Sequence, residues 1–414
     1  MSLPSSAKKP WSRAIILVDM NAFFASIEQL DHPEWQGRAL AVTNGKQGTC
    51  IITCSYEARS YGIKTGMRLR EAKRLCKRLI QVPARPQRYA AVSTAIMKAL
   101  ENLTPDVEVF SVDEAFLDVT RCQSLFGTPE RMGEMAKELV YAASGLLCSV
   151  GVSGDKTTAK YAAKLEKPNG HVVIPPWEAK ESLRYVDVTE LSGIKNGIGN
   201  FLKQHGATKC GEVEKIPISI LAKRFGNLGK RIWYMCQGAD PDPVHTIVPS
   251  PKSMGHGKVM PPNTTNESIV ECFLMHMCEK LGARLREHQF RAQHFFAGLL
   301  NHEIGWYGAT GKTCQATNDS KEIFALAMFI IYQHWDGEPV SQIQVTALDP
   351  SGAGLQLDFF VTNNDKRELL YKTLDIINDK YGEFTIAPAP LLYRSSMPNV
   401  IAPAWKPYGH RQTI

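Results

Sequence analysis

The chain has 414 residues, 44% of them hydrophobic and 21% charged, with a formal net charge of +7. That length and balance suit a globular protein of two to four domains, and no internal repeat or low-complexity segment interrupts it. No apolar stretch approaches membrane-spanning length and residues 1–10 lack a signal-peptide core, which predicts a cytosolic protein without membrane contact. The ten cysteines are scattered. Cys50/Cys54 and Cys272/Cys278 lack a zinc spacing and a second matching pair, so they read as core thiols in a reducing compartment, with no structural metal.

In chain order, Ala14-Ile-Ile-Leu-Val-Asp19 reads as a buried strand that delivers Asp19 to a sheet edge, and the periodicity turns helical from Met20 to Glu28. Between Arg68 and Arg78 six basic residues surround one acid, with apolar residues at helical spacing. The run is either a solvated helix face or a phosphate-facing surface. Residues 107–112 and 115–120 are β-rich and half-buried in pattern, placing Asp113 and Glu114 at or near a hairpin tip. Neighbouring strand residues point to opposite faces, so the two carboxylates can share a ligand only if the backbone bends between them.

Asp19 with the Asp113-Glu114 pair is the oxygen ligand set expected for two-metal phosphoryl transfer, selecting magnesium or manganese over zinc. The alternative is that these carboxylates cap turns. Further on, Pro175-Pro176 breaks the chain, and residues 177–245 are mostly helical around a Gly-rich turn, 191–199, followed by a helix at 200–205. Residues 240–251 are Pro-rich and extended. Strands at 292–300 and 340–346 then alternate with amphipathic helices near 267–288 and 319–335. Residues 365–381 read as a helix with Leu370, Leu374, Ile377 and Tyr381 on one stripe, expected to dock on the body of the protein.

Four segments in order carry a resemblance: Val18-Asp-Met-Asn-Ala-Phe-Phe-Ala-Ser-Ile-Glu28, Ser55-Tyr-Glu-Ala-Arg59, Ser111-Val-Asp-Glu-Ala115 and Lys167-Pro-Asn-Gly170. They resemble the motifs of the Y-family translesion DNA polymerases, most closely the bacterial DNA polymerase IV (DinB-like) and UmuC-like members, over about residues 13 to 360. The resemblance implies an α+β multidomain fold shaped as a right-hand polymerase. A flexible N-terminus (1–12) would precede a palm (13–23 and 85–174) that carries a small fingers insertion (24–84). A helical thumb with a helix-hairpin-helix (175–245), a linker (246–252), an α/β little finger (253–360) and a C-terminal extension (361–414) would follow.

It also implies residue roles. Asp19, Asp113 and Glu114, with the Met20 carbonyl, would hold two Mg²⁺ or Mn²⁺ ions. Phe23, Phe24, Thr53, Tyr56, Arg59, Lys160 and Lys167 would line the nucleotide site, Phe24 acting as a steric gate against a 2′-hydroxyl. Tyr56 and Arg59 share a face if helical, and a guanidinium suits bidentate phosphate contact. Gly193, Lys195, Gly197, Gly199, Lys252, Lys258, Arg284 and Arg286 would contact the DNA backbone. Gln356, Leu357, Asp358, Phe359 and Phe360 resemble the sliding-clamp peptide of bacterial polymerases.

The expected protein is a low-fidelity, DNA-directed DNA polymerase without proofreading. It would be monomeric and nucleoid-associated, with primer-template DNA, deoxynucleoside triphosphates and a sliding clamp as partners. A catalytically impaired clamp-bound adaptor and a nucleotidyl cyclase are the rivals; the retained carboxylates argue against the first, and the helix-hairpin-helix and little finger against the second. Two residues depart from the family pattern: Asn21 replaces an acid, and Lys164 stands where aspartate is more usual.

Overall fold

The computed structural model describes residues 10–44, 50–352 and 365–393. They form two compact units that meet in sequence at Val248 and Pro249.

The first unit begins with β1 (Ile15–Met20), α1 (Phe23–Asp31), β2 (Leu40–Thr43), β3 (Ile51–Cys54), α2 (Tyr56–Ser60), α3 (Leu69–Leu75), β4 (Ile80–Pro83) and α4 (Pro86–Leu100). It continues with β5 (Val107–Val109), β6 (Glu114–Asp118), α5 (Gln123–Phe126), α6 (Pro129–Ser144), β7 (Cys148–Ser153), α7 (Lys156–Leu165) and β8 (His171–Val173). The main sheet runs β5-β6-β1-β7-β8, with β1 antiparallel to both neighbours and only β7 and β8 parallel. Period-2 alternation sorts its side chains. Ile16, Val18 and Met20 enter the larger core with residues of α1, α4 and α6, while Ile15 and Leu17 pack with Phe116 of β6 and Ala159 and Ala163 of α7. Asp19 has the parity of Ile15 and Leu17, and so belongs to the α7 side.

A smaller sheet, β3-β2-β4, holds its own core of Ala41, Ile51, Cys54, Ala58, Ala72 and Cys76. α1 contributes Phe23, Phe24 and Ile27 to the main core, so it packs as part of the main sheet's layer although residues 24–84 read as one insertion. The six basic residues of the Arg68–Arg78 run are all exposed around buried Ala72 and Cys76, giving the small domain a solvated cationic face.

Five short helices follow: α8 (Ala179–Leu183), α9 (Asn196–Gln204), α10 (Cys210–Val213), α11 (Ile218–Phe225) and α12 (Asn227–Met235), around a core that includes Leu191, Ile194, Leu202, Leu221 and Ile232. The start of the Pro-rich segment 240–251 is docked rather than free. Lys156 binds Glu108 at 2.7 Å and Asp242 at 2.8 Å, Arg231 forks onto Asp240 at 2.8 and 2.9 Å, and Arg13 donates to the Asp240 carbonyl at 2.7 Å. These two aspartates give residues 240–242 an electrostatic anchor that Pro-rich composition alone does not announce.

The second unit is β9 (Met254–Thr264), α13 (Glu267–Glu287), β10 (Phe290–Asn301), β11 (Gly305–Thr317), α14 (Ser320–His334), β12 (Val340–Ala347), β13 (Ser351–Gly352) and α15 (Asp365–Tyr381). Its sheet order is β11-β10-β12-β9, antiparallel throughout, with β13 added beside β10. Residues of α13 and α14, among them Leu274, Leu281, Ile323 and Ile331, pack on strand residues Phe295, Leu299, Ile343 and Val345. No described helix is long and apolar enough to cross a membrane.

Candidate active site

The ladder between β1 and β6 pairs Asp19 with Glu114 directly. Directly opposed residues of an antiparallel pair share a face, with Cβ atoms about 5 Å apart. Asp113 joins them because the hairpin bends at 111–113: Phe110 and Ser111 both donate N–H to the Glu114 carbonyl, at 3.0 and 3.1 Å, and Met20 donates to the Asp113 carbonyl at 2.9 Å. The bend expected between the adjacent carboxylates is present. Ser111 reinforces it, its hydroxyl donating to Asp113 Oδ1 at 2.6 Å.

Two lysines face this cluster. Lys160 of α7 donates to Glu114 Oε2 at 2.8 Å while its ammonium lies 4.3 Å from the Phe110 ring centroid, and Lys167 pairs with Asp19. Burial is the main force that pushes the Asp19 carboxyl up to about 7; Lys167 pulls against it, and Glu114 and Asp113 add to it. Asp113 is also raised, first by burial, with the Ser111 hydrogen bond opposing. Repulsion among crowded carboxylates and desolvation are what a divalent cation relieves.

The donor set is oxygen only, which fits a hard cation in kind and charge. Among the described residues no three His, Cys, Asp or Glu side chains already stand at ligand spacing. Asp19 and Glu114 each turn one carboxylate oxygen onto an ammonium group.

Residues 18–164 match the impB/mucB/samB family, and residues 251–359 match its C-terminal domain. The DNA polymerase IV of Moorella thermoacetica is 31% identical over 380 residues, spanning 90% of this chain and 94% of its own length. That of Bacillus anthracis is 30% identical over 391 residues, 93% of each. A solved Y-family DNA polymerase chimera superposes with a TM-score of 0.69 at 26% identity, covering 81% of this chain and 98% of that one. The chain belongs to the Y family of DNA polymerases, of the DinB-like kind.

The polymerase has the family's architecture of palm, fingers, thumb and little finger. In the expected division, the five-stranded sheet falls in the palm segment, the small sheet in the fingers segment, α8 to α12 in the thumb segment and β9 to β13 in the little-finger segment. Y-family DNA polymerases need divalent metal ions.

In the fingers, Ser55 caps α2 by accepting from Ala58 N–H, which places Tyr56 and Arg59 on one face with the guanidinium 4.6 Å from the tyrosine ring centroid. Thr53 is half-buried in β3, and the Tyr56 hydroxyl is buried without a hydrogen-bond partner among the described residues. Phe24 is 9% exposed and its ring lies parallel to that of Tyr89, centroids 4.3 Å apart, while Phe23 is buried 5.7 Å away. The Tyr89 hydroxyl donates to buried Glu28 at 2.6 Å, and Glu28 in turn accepts from Arg85 at 2.9 Å.

The thumb and little finger revise several expectations. α9 starts at Asn196, so Gly197 and Gly199 lie in its first turn rather than in the turn before it. Only Gly193, at φ +89°, uses the left-handed region. A Cβ on Gly199 would meet Thr189 Cγ2 at 2.7 Å, so this glycine serves close packing. Lys195 is the N-cap of α9 without a side-chain cap, which leaves first-turn amides for a phosphate. The segment before the turn is a 3-10 turn, Val188–Glu190, in place of a full first helix.

Arg284 and Arg286 are corrections. Both lie on α13, and Arg286 forks onto Asp375 of α15 at 2.6 and 2.8 Å and also donates to the Asn318 carbonyl at 2.9 Å. Arg284 is largely desolvated and donates to the Gly255 carbonyl at 3.4 Å. Helical spacing made these arginines look like surface cations, but the face they occupy is covered by the chain itself. Lys258 is buried on β9, and of the four expected DNA contacts Lys252, Lys258, Arg284 and Arg286 only Lys252 is exposed. Residues Gln356 to Phe360 lie outside the described residues.

Sequence reasoning gave no role to Glu28, although it ends the first motif, and did not find Tyr89, which carries no motif signal, or Ser149, whose contact with Asn21 spans 128 positions. Lys164 pairs with Glu190, joining α7 to the thumb.

Proposed function

We propose that the polymerase extends primers on damaged templates by low-fidelity, template-directed nucleotidyl transfer without proofreading. The observation that carries the nucleotidyl-transfer part of this reading is the convergence of Asp19, Asp113 and Glu114 at one strand end, with Lys160 and Lys167 in contact with two of them. Asp19, Asp113 and Glu114, with the Met20 carbonyl, would hold two Mg²⁺ or Mn²⁺ ions, which would supply Lewis acidity toward the primer 3′-hydroxyl and the triphosphate charge. When an incoming triphosphate arrives, Lys167 and Lys160 exchange carboxylate for phosphate oxygens. Arg59 and Tyr56 meet the same anion from the fingers, with Thr53 beside them.

Phe24 packs beneath the sugar and leaves no room for a 2′-hydroxyl, with Phe23 behind it. Gly193, Lys195 and the first turn of α9 hold a DNA phosphate, and Lys252 adds a backbone contact. The peptide from Gln356 to Phe360 tethers the enzyme to a sliding clamp, which raises its effective concentration at the primer end. Loss of clamp stimulation in Leu357→Ala/Phe359→Ala, with insertion on bare primer-template intact, is the expected outcome for that tether.

The deciding experiment is primer extension with Asp113→Asn and Glu114→Gln on undamaged and abasic templates. Either substitution lowers extension by roughly a thousandfold or more. DNA affinity stays within about threefold because it comes from dispersed phosphate contacts. Near-parental extension by either variant removes that residue from the mechanism.

A further inference from the structure

Asn21 stands two residues after Asp19, is 5% exposed, and is fully engaged. Its Nδ2 donates to Ser149 Oγ of β7 at 2.9 Å, and its Oδ1 accepts the Asn169 backbone N–H at 2.8 Å. Ser149 Oγ also accepts the Gly170 N–H, at 3.3 Å. Two consecutive backbone amides of the Lys167–Gly170 loop are therefore held by one side chain of the β1 end and one of β7.

The loop is shaped to meet them. Asn169 is left-handed, with φ 58°, a conformation that asparagine tolerates better than most residues. Its carbonyl accepts from Lys137 Nζ at 2.6 Å. A Cβ on Gly170 would stand 2.3 Å from the Glu166 carbonyl oxygen, so the loop folds tightly onto the end of α7. Lys167, two residues before Asn169, reaches Asp19 from this loop.

We propose that Asn21 is the positioning residue of the lysine loop: its amide fixes the distance between Lys167 and the strand that carries Asp19. An amide suits this task because it donates to Ser149 and accepts from Asn169 at once, without adding a fourth negative charge beside Asp19, Asp113 and Glu114. What this residue then sets is how well Lys167 is placed for the triphosphate. That last step rests on the role proposed above for Lys167, whereas the anchor itself does not.

Two measurements test the proposal in the full-length protein. The first is hydrogen exchange of the backbone amides at 169 and 170, without nucleotide. Asn21→Leu removes donor and acceptor at similar volume, and exchange there is expected to accelerate roughly tenfold or more. Asn21→Asp keeps an acceptor for the Asn169 N–H, and Ser149 can donate to it, so exchange stays close to parental. Unchanged exchange in Asn21→Leu, with the variant folded by circular dichroism, overturns the anchor.

The second is single-nucleotide insertion. Asn21→Leu is expected to raise the KM for deoxynucleoside triphosphate about tenfold and to alter kcat less. Added to Lys167→Ala it should cost almost nothing further, because the two substitutions act through one contact. Full additivity overturns the link between Asn21 and Lys167. Faster exchange with an unchanged KM in both single variants keeps the anchor and overturns the triphosphate role of Lys167.

Discussion

At the scale of single residues, the sugar gate proposed for Phe24 is a stack. Phe24 rests face to face on Tyr89, and Tyr89 is fixed by the buried Glu28, which Arg85 neutralises. A gate that excludes a hydroxyl by contact has to be stiff, because a ring that yields by a fraction of an ångström admits the larger sugar. Phe24→Ala is expected to raise the ratio of ribonucleotide to deoxynucleotide insertion efficiency by roughly a hundredfold. Tyr89→Leu, which leaves Phe24 in place but removes its flat support, should raise it less, by about tenfold. An unchanged ratio in Phe24→Ala makes this phenylalanine a core residue only.

The carboxylates add a pH dependence. Asp19 is raised to about 7 by burial, so in the free protein it carries a proton below that pH and a divalent cation has to displace it. For one displaced proton, cation affinity falls about tenfold between roughly pH 8 and pH 6. The same shift costs the cation-free fold stability as pH rises from the ordinary carboxylate range toward 7, since the folded state binds the proton more tightly than the unfolded one. A cation should therefore raise the melting temperature more at pH 8 than at pH 6. Equal shifts at the two values contradict this account of Asp19.

At the scale of elements, the C-terminal helix α15 docks with only part of the apolar stripe its periodicity suggests, Leu374 and Ile377 being half-buried. Leu370 and Tyr381 are 54% and 66% exposed. The contacts are polar: Asp375 takes the fork of Arg286, Tyr371 donates to Asp319 at 2.9 Å, Arg367 pairs with Asp319 at 3.0 Å, and Glu383 just beyond the helix binds Lys280 at 2.7 Å. The Arg286 guanidinium also lies 4.4 Å from the Tyr371 ring centroid. Asp375→Ala leaves Arg286 desolvated without its carboxylate and should cost on the order of 2–3 kcal/mol. The low end is expected because the Asp375 side chain is 27% exposed. Chemical denaturation reads this directly, and a loss below about 0.5 kcal/mol, the scale of a surface pair, shows that the docking is not a stabilising one.

At the scale of the whole molecule, the division at Val248 and Pro249 leaves the second unit with a core of its own, built among the described residues from residues 254–347 alone. Residues 249–396 expressed alone should fold and unfold cooperatively, because their four-stranded sheet already buries α13 and α14. A non-cooperative transition of that fragment shows that the first unit is needed to complete it. Sequence by itself determined what is local: the apolar run ending in Asp19, the bent tip with Asp113 and Glu114, the helical spacing of Tyr56 and Arg59, and the family that their order marks. Each of these depends on alternation, helical spacing or turn chemistry within a few residues, and such signals survive without partners.

Only the tertiary structure decided which strands are neighbours, and thus that Asp19 opposes Glu114 while Lys167 and Lys160 reach them. It also turned Asn21 from a missing acid into an anchor, through a contact with Asn169 that lies 148 positions away. Arg284 and Arg286 went the other way, from surface cations to internal partners, because charge in a sequence says nothing about what later covers it. The physical reason is common to all three. A side chain's role depends on its neighbours in space, and for these residues the neighbours come from distant segments that packing alone brings together.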